Sequence, residues 1–251
     1  GYNNTRRADP YIASRMMALL QPTVAGLYLD LGCGTGNYLR VMLDNGFRFY
    51  GIDPSETMLE AARRVCPEAT LFQAYSENIP LENSFFDGAV VMFTMHHWKN
   101  QQQGINELAR VLKPGSPVVF LSFTGKQMAG YWLNHYFPEM IKRSGELVPE
   151  ADAMHVMLEN AGFSDVQTEN YFITNELQDH FLYSNKYRPE QYLDPEVRKA
   201  ISSFAAFSIP DEVEKGLKQL QADIGSGDIH GIINQYENEM GDYLFYRAVK
   251  K

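Results

Sequence analysis

Residues 27–39, LYLDLGCGTGNYL, constrain the fold more than any other stretch of the chain. Leu27 to Leu31 form an apolar run with the length of a short buried strand. The run passes directly into Gly32-Cys33-Gly34-Thr35-Gly36, and beyond it Tyr38, Leu39, Met42 and Leu43 recur at helical spacing. Strand, glycine turn and helix together bring backbone close to a ligand. Glycine accepts positive φ and carries no Cβ to block approach, and the helix that follows opens with free N–H groups.

The same alternation continues. Helix over 37–44 ends at Asn45-Gly46, a strand runs from Phe47 to Asp53, and Pro54-Ser55 starts a helix with Met58, Leu59, Ala62 and Val65 on one face. Leu71–Ala74, Asp87–Thr94 and Pro117–Phe123 read as three more strands. Ile105, Leu108, Val111 and Leu112 mark the helix between the last two. Upstream, Asp9-Pro10 opens a helix carrying Tyr11, Ile12, Met16, Leu19 and Leu20. Strands alternating with helices predict a mostly parallel sheet covered on both faces. Past Thr124 the spacing predicts helices over 128–143 and 150–161, a strand from Phe163 to Ile173, a mostly helical tract rich in Tyr and Phe, and a closing strand over Asp242–Val249. The expected division is a sheet domain over residues 1–175, a helical cap inserted over 176–240, and the closing strand of the sheet over 241–251.

Composition excludes several classes. The net charge of −9 and the absence of any long basic cluster argue against a nucleic-acid partner. No apolar run reaches the roughly 18 residues of a membrane helix, and no secretory pattern opens the chain, so no membrane partner and a cytoplasmic location are expected. The two cysteines, Cys33 and Cys66, have no metal-binding or disulfide-framework spacing. No metal site is expected, and the chain is expected to act as a monomer or homodimer.

A glycine turn of this kind serves two sorts of nucleotide-like ligand. Dinucleotides want G-x-G-x-x-G/A. Here the glycines run G-x-G-x-G, the sixth position is Asn37, and no Arg or Lys sits in the turn. A ligand without phosphates fits better. Asp53, 21 residues beyond Gly32, stands at the carboxyl end of the second strand. A carboxylate there can accept two hydrogen bonds from ribose hydroxyls, or it can cap the helix that begins at Pro54-Ser55.

With Leu29–Gly36, Gly51-Ile52-Asp53-Pro54-Ser55, Ser76-Glu77-Asn78-Ile79-Pro80, Phe86-Asp87, Met95-His96-His97-Trp98 and Glu107–Gly115 in register, the chain resembles a class I S-adenosylmethionine-dependent methyltransferase of the small-molecule group. The resemblance covers about residues 27–124. It implies an α/β, Rossmann-like, doubly wound sheet of seven strands with the last antiparallel, and S-adenosylmethionine as donor, leaving S-adenosylhomocysteine. By the same resemblance Gly32, Gly34 and Gly36 would line the aminocarboxypropyl arm, with backbone groups around Cys33, Asn37 would be among the cofactor-binding residues, and Asp30 would hold the loop and the ammonium, directly or through water. Asp53 would take the ribose hydroxyls, with Pro54 and Met58 against the adenine and Ser76 and Glu77 at its edge. Phe93 and Thr94 would lie beneath the sulfonium, and Tyr2 and Arg7 could close the site. Tyr75 departs from the family pattern, which often has an acidic residue there to bond the adenine amino group.

Methyl transfer from a sulfonium needs chiefly an aligned nucleophile, with a base only where the acceptor must lose a proton. His96 and His97 are the candidate bases, set against a plain packing role in their loop. The acceptor is expected to be a small, partly apolar or aromatic molecule. Tyr131, Trp132, His135, Tyr136, Phe181, Tyr183, Tyr187, Tyr192, Phe204 and Phe207 either line its pocket or, for the most part, form the core of the cap. Transfer to O, N or C, a non-catalytic sensor or scaffold for the same ligand, and transfer of another group such as aminopropyl are all compatible with the glycine turn and Asp53.

Overall fold

The computed structural model describes residues 7–251. Seven strands form one sheet: β1 (Leu27–Leu31), β2 (Arg48–Asp53), β3 (Thr70–Gln73), β4 (Gly88–Met92), β5 (Pro117–Ser122), β6 (Phe163–Tyr171) and β7 (Tyr243–Lys250), in the order β3-β2-β1-β4-β5-β7-β6. β1 to β5 pair in parallel, and β7 lies antiparallel to β5. The expected α/β, Rossmann-like sheet with its antiparallel last strand is therefore present. The order reverses at β1, where β2 departs to one side and β4 to the other. This is the switch point at which open α/β sheets place ligands.

The central strands are apolar on both faces because helices cover both. Leu29, Leu31, Ile52, Ala89, Val91, Val118 and Phe120 join one buried cluster with Ile105, Leu108 and Val111. Those last three lie on helix Gln101–Val111, whose N-terminus Asn100 caps by accepting from the Gln103 N–H at 3.0 Å. Helix Glu56–Val65 begins at the cap Ser55. Asp9 caps helix Pro10–Leu20 through the Ile12 N–H at 3.0 Å.

The chain divides into two compact units. The first comprises residues 8–122, 151–169 and 244–251, and so carries the sheet. The second is built from residues 123–150 together with 170–243. It therefore draws on the stretch just after β5 as well as on the expected 176–240 insertion. In this second unit the helix expected over 128–143 is broken into Gly125–Ala129, a 3-10 turn at Trp132–His135, and Pro138–Gly145. Pro138 bars its predecessor from helical geometry and starts the last piece itself.

The tract after β6 is helical at Pro195–Lys199, Ser202–Phe207, Pro210–Ser226 and Ile229–Gln235, but residues 172–188 contain no helix. Long-range side chains satisfy that backbone instead. The Tyr243 hydroxyl accepts from the Tyr183 N–H at 3.2 Å, the Tyr192 hydroxyl donates to the Leu182 carbonyl at 2.7 Å, and the Trp132 indole donates to the Lys186 carbonyl at 2.9 Å. Tyr131 stacks on Tyr183 with ring centroids 3.9 Å apart, and Trp132 meets Tyr192 edge-on. Tyr131, Trp132, Tyr183, Tyr192 and Phe204 are buried, so this aromatic set forms the unit's own core, while Tyr187 is exposed.

Candidate functional site

The site grows from the turn after β1. Gly32, Gly34 and Gly36 all have positive φ, at 83°, 53° and 80°. The N–H groups of Gly32 and Cys33 both donate to the Ile52 carbonyl, at 2.7 and 3.0 Å, which ties the turn to β2. The three glycines face different surroundings. A Cβ on Gly32 would lie 2.4 Å from the Thr94 Oγ1, and one on Gly36 would press on the Ala62 backbone at 3.3 Å. At Gly34 a Cβ would meet nothing within 4 Å. Two of the glycines thus serve packing, and the third borders open space at the carboxyl ends of β1 and β2.

Two carboxylates flank that space. Asp53, 9% exposed, accepts from the Gly34 N–H at 3.0 Å through Oδ2 and from the Ser55 N–H at 2.9 Å through Oδ1. It therefore ties the glycine turn to the residue that caps the next helix, while the cap itself is Ser55 and not Asp53. Its carboxyl sits above the usual aspartate range because burial opposes ionisation, against the pull of those two N–H groups and of His97. Asp30, 4% exposed, has no such help. Burial, and then the charge of Asp53, push it from 3.8 to about 7. Among the described residues no donor or cation meets its carboxyl group. A buried acid without a partner beside an open glycine is what a ligand carrying an ammonium would complete.

The thiol of Cys33 is buried and pushed well up by desolvation and by the two aspartates, so it is inert and fills the loop. Cys66 donates from Sγ to the Gly36 carbonyl at 3.4 Å. The Asn37 amide donates to the Thr35 hydroxyl at 3.1 Å, within the turn.

At the end of β4, Phe93 has φ of +46°, a strained conformation for an aromatic residue, held by its N–H on the Leu121 carbonyl at 3.0 Å. Thr94 packs on Gly32. His96 and His97 follow in a 3-10 turn, ring centroids 4.0 Å apart, with the His97 N–H on the Thr94 carbonyl at 2.9 Å. His97 is held below its usual 6.5, because crowding around the ring disfavours the imidazolium more than Asp53 favours it.

The remaining expected residues are less uniformly placed. Pro54 is exposed and Met58 half-buried on the first turn of its helix. Ser76 donates to Glu77 Oε2 at 2.9 Å, and Glu77 Oε1 accepts from the Asn100 N–H at 2.9 Å. Burial raises Glu77, but these bonds outweigh it and keep the group ionised. Both side chains are thus engaged in joining two loops. Arg7 is exposed and groups with the second unit, and Tyr2 lies outside the described residues.

One feature escaped sequence reasoning. Arg110 donates to the carbonyls of Ile79 and Leu81, to Asn83 and to Glu107, and Glu107 also accepts from the Ile79 N–H at 2.8 Å. This network joins the Ser76–Pro80 loop to the Glu107–Gly115 motif.

Residues 29–120 match the family described as a methyltransferase domain. A provisionally named methyltransferase from an antibiotic biosynthesis pathway of Anabaena variabilis, known from its crystal structure, is 30% identical, with the match covering 98% of this chain and 99% of that one at a TM-score of 0.86. The chain belongs to the class I S-adenosylmethionine-dependent methyltransferases. An uncharacterized methyltransferase of Mycobacterium tuberculosis is 28% identical over 173 residues, 69% of this chain and 70% of that protein. The fold also matches phosphoethanolamine N-methyltransferase 2 of Haemonchus contortus in complex with S-adenosyl-L-methionine, at 23% identity and a TM-score of 0.61, over 96% of this chain and 52% of that one. The cofactor of this methyltransferase is S-adenosylmethionine. No helix among the described residues of the methyltransferase is long and apolar enough to cross a membrane.

Proposed function

We propose that this methyltransferase methylates a small organic acceptor at O, N or C. The observation that carries the donor side is Asp30, a buried carboxyl with no partner among the described residues, which feels the charge of Asp53, the acceptor for the N–H of the one glycine of the turn that opens to free space. Asp30 takes the donor's ammonium, the backbone around Gly34 lies along its amino-acid arm, and Asp53 accepts from the ribose with the lone pairs that Gly34 and Ser55 leave free. The donor supplies an electrophilic methyl group on sulfur, and the protein's task is alignment. His97, held neutral at pH 7, can accept a proton from an acceptor that must lose one, with the ring of His96 tilted against it.

A small acceptor is supported from two directions. The chain's charge of −9 opposes a polyanion. The Anabaena relative is assigned to antibiotic biosynthesis, and a Campylobacter jejuni relative, 27% identical over 142 residues, is a ubiquinone/menaquinone biosynthesis C-methyltransferase, of which the match covers 60%. The test is transfer of a radiolabelled methyl group to a fractionated metabolite extract, beside parallel incubations with tRNA, DNA and protein. Label in the small-molecule fraction alone is the expected result. Label in a macromolecule would overturn the proposal.

A further inference from the structure

The segment over residues 181–188 carries two side chains that the fold leaves without bonds. Asn185 is fully buried and Ser184 nearly so. The amide nitrogen and amide oxygen of Asn185 and the hydroxyl of Ser184 are each sealed from solvent with no hydrogen-bond partner. Both amide atoms are orphaned, so turning the amide over satisfies neither. Native folds seldom seal such groups unpaired, because each forfeits the bonds that water would give it. One unmet group of this kind weighs about five- to a hundredfold in an equilibrium constant, and here three of them stand in two consecutive residues.

They stand where the backbone makes only short turns. The Ser184, Lys186 and Arg188 N–H groups donate to the carbonyls of Phe181, Tyr183 and Asn185 at 3.0, 2.9 and 2.9 Å. Side-chain contacts close the segment onto the rest of its unit. The Tyr183 hydroxyl accepts from the Trp132 N–H at 3.1 Å and its ring stacks on Tyr131, the Trp132 indole donates to the Lys186 carbonyl, and the Lys186 ammonium pairs with Asp242 at 2.8 Å. These contacts hold the segment shut. Asn185 and Ser184 act the other way, since opening hydrates all three orphaned atoms. The opposing groups share one short segment, so the balance is struck locally rather than by the whole unit.

We propose that residues 181–188 form a gate over the aromatic core of the second unit, that Asn185 and Ser184 destabilise its closed form, and that a planar aromatic acceptor enters when it opens. Opening takes the Tyr183 ring off Tyr131 and the Lys186 carbonyl off the Trp132 indole. That leaves a flat aromatic face and, on the next residue, a free N–H donor. A ring bearing a carbonyl or hydroxyl oxygen can take both places. The acceptor's part in this rests on the small-molecule transfer proposed above; the gate itself does not.

The test is hydrogen exchange of the full chain, read by mass spectrometry on peptides covering 181–188, in wild type, Asn185→Leu, Ser184→Ala and Ser144→Ala. Circular dichroism checks that each variant folds, and if Asn185→Leu does not, Ser184→Ala decides alone. Leucine has nearly the shape of asparagine and needs no bonds, so Asn185→Leu should slow exchange in the segment about tenfold or more, and Ser184→Ala about fivefold. Ser144 also has a sealed hydroxyl with no partner, but it lies on helix Pro138–Gly145. Ser144→Ala should therefore leave exchange at 181–188 within about twofold of wild type. Label transfer to the small-molecule fraction of a metabolite extract, at limiting extract, should fall in Asn185→Leu by the factor that exchange slows, because the open fraction scales the apparent affinity. S-adenosylhomocysteine affinity should not change. Unaltered or faster exchange in the folded Asn185 and Ser184 variants, or equal slowing by Ser144→Ala, overturns the gate. Slowed exchange with undiminished label transfer overturns its role for the acceptor. If wild type labels no small molecule, the proposed transfer is wrong, and the exchange result still decides the gate.

Discussion

If Asp30 takes the donor's ammonium as proposed, donor binding is pH-dependent, with a sign and size that follow from the surroundings of Asp30. Its carboxyl is shifted from 3.8 to about 7, first by burial and then by the charge of Asp53. The ligand-free protein therefore holds a proton on Asp30 through most of the acid range, and an ammonium ligand needs that proton gone. Only the ionised fraction is competent, so the apparent Kd is the intrinsic Kd divided by that fraction. With a midpoint near 7, binding of S-adenosylhomocysteine should weaken about tenfold between pH 8 and pH 6, and about tenfold again at pH 5. Calorimetry at pH 6 in two buffers of different ionisation enthalpy should show release of about 0.9 proton per ligand bound.

The same shift bears on stability, with the opposite consequence for the free protein. An acid whose folded value lies above its unfolded one favours folding below pH 4, and that contribution is lost as pH rises through about 7. At pH 8 the ligand-free wild type should carry a penalty on the order of 4 kcal/mol from this one group. Asp30→Asn removes it, so its stability relative to wild type should rise between pH 4 and pH 8, while its ligand affinity at pH 8 falls by roughly 1.5–3 kcal/mol and becomes flat with pH from 5 to 8. Unchanged Kd between pH 5.5 and 8 in the wild type, with no proton release, would refute the assignment.

Three further substitutions separate ligand contact from scaffold. Gly34→Ala puts a methyl group into the open space, so it should cost only about 1–2 kcal/mol of stability for its positive φ, yet weaken S-adenosylhomocysteine more than about tenfold by occlusion; equal effects from Gly32→Ala, which strikes Thr94, would merge the two roles. Arg110→Met leaves the Ile79 and Leu81 carbonyls and Glu107 without their shared donor and should lower unfolding free energy by about 2–4 kcal/mol in urea titrations, with little change in affinity under native conditions. His97→Ala should leave cofactor affinity within about twofold and lower turnover by about 10²-fold or more if the acceptor must lose a proton; a parallel loss of affinity would place His97 in the donor site instead.

Much of the sheet unit was legible because its signals are local. The turn from Leu27 to Leu39, the caps at Asp9 and Ser55, and the apolar strands each declare themselves within a dozen residues, and the observed elements Asn37–Asp44 and Gly88–Met92 lie where the spacing puts them. The second unit was less legible for the complementary reason. Its 172–188 tract is fixed by Tyr192, Tyr243 and Trp132, tens of residues away in some cases, so no periodicity could describe it. In the site, residue types showed where acids and glycines stand. They did not show that Asp30 lacks a partner, that Ser76 and Glu77 spend their polar atoms on each other and on Asn100, or that Lys99 rises over Tyr75. Each of those depends on which loop lies opposite, a fact of the fold.

The motifs that mark the chain therefore divide by physical role. Asp30 and Asp53 are buried carboxyls near the open Gly34, and on the proposed reading the cost of burying their charge would be offset when a ligand binds. Glu77, Glu107 and Arg110 look equally polar in sequence, yet their bonds run to the backbone of Asn100, Ile79 and Leu81, and they hold in place the loops after β3 and β4. Loosening either loop would move Tyr75, Lys99 and His97 without touching the glycine turn. A substitution in the second group should then act on both stability and turnover while leaving the pH dependence of donor binding intact, because the bonds of that network do not run to Asp30. Measuring the slope of log Kd against pH in Arg110→Met decides the point: a slope matching wild type below pH 7 assigns the network to scaffold, and a flattened one would show that it also sets the environment of Asp30.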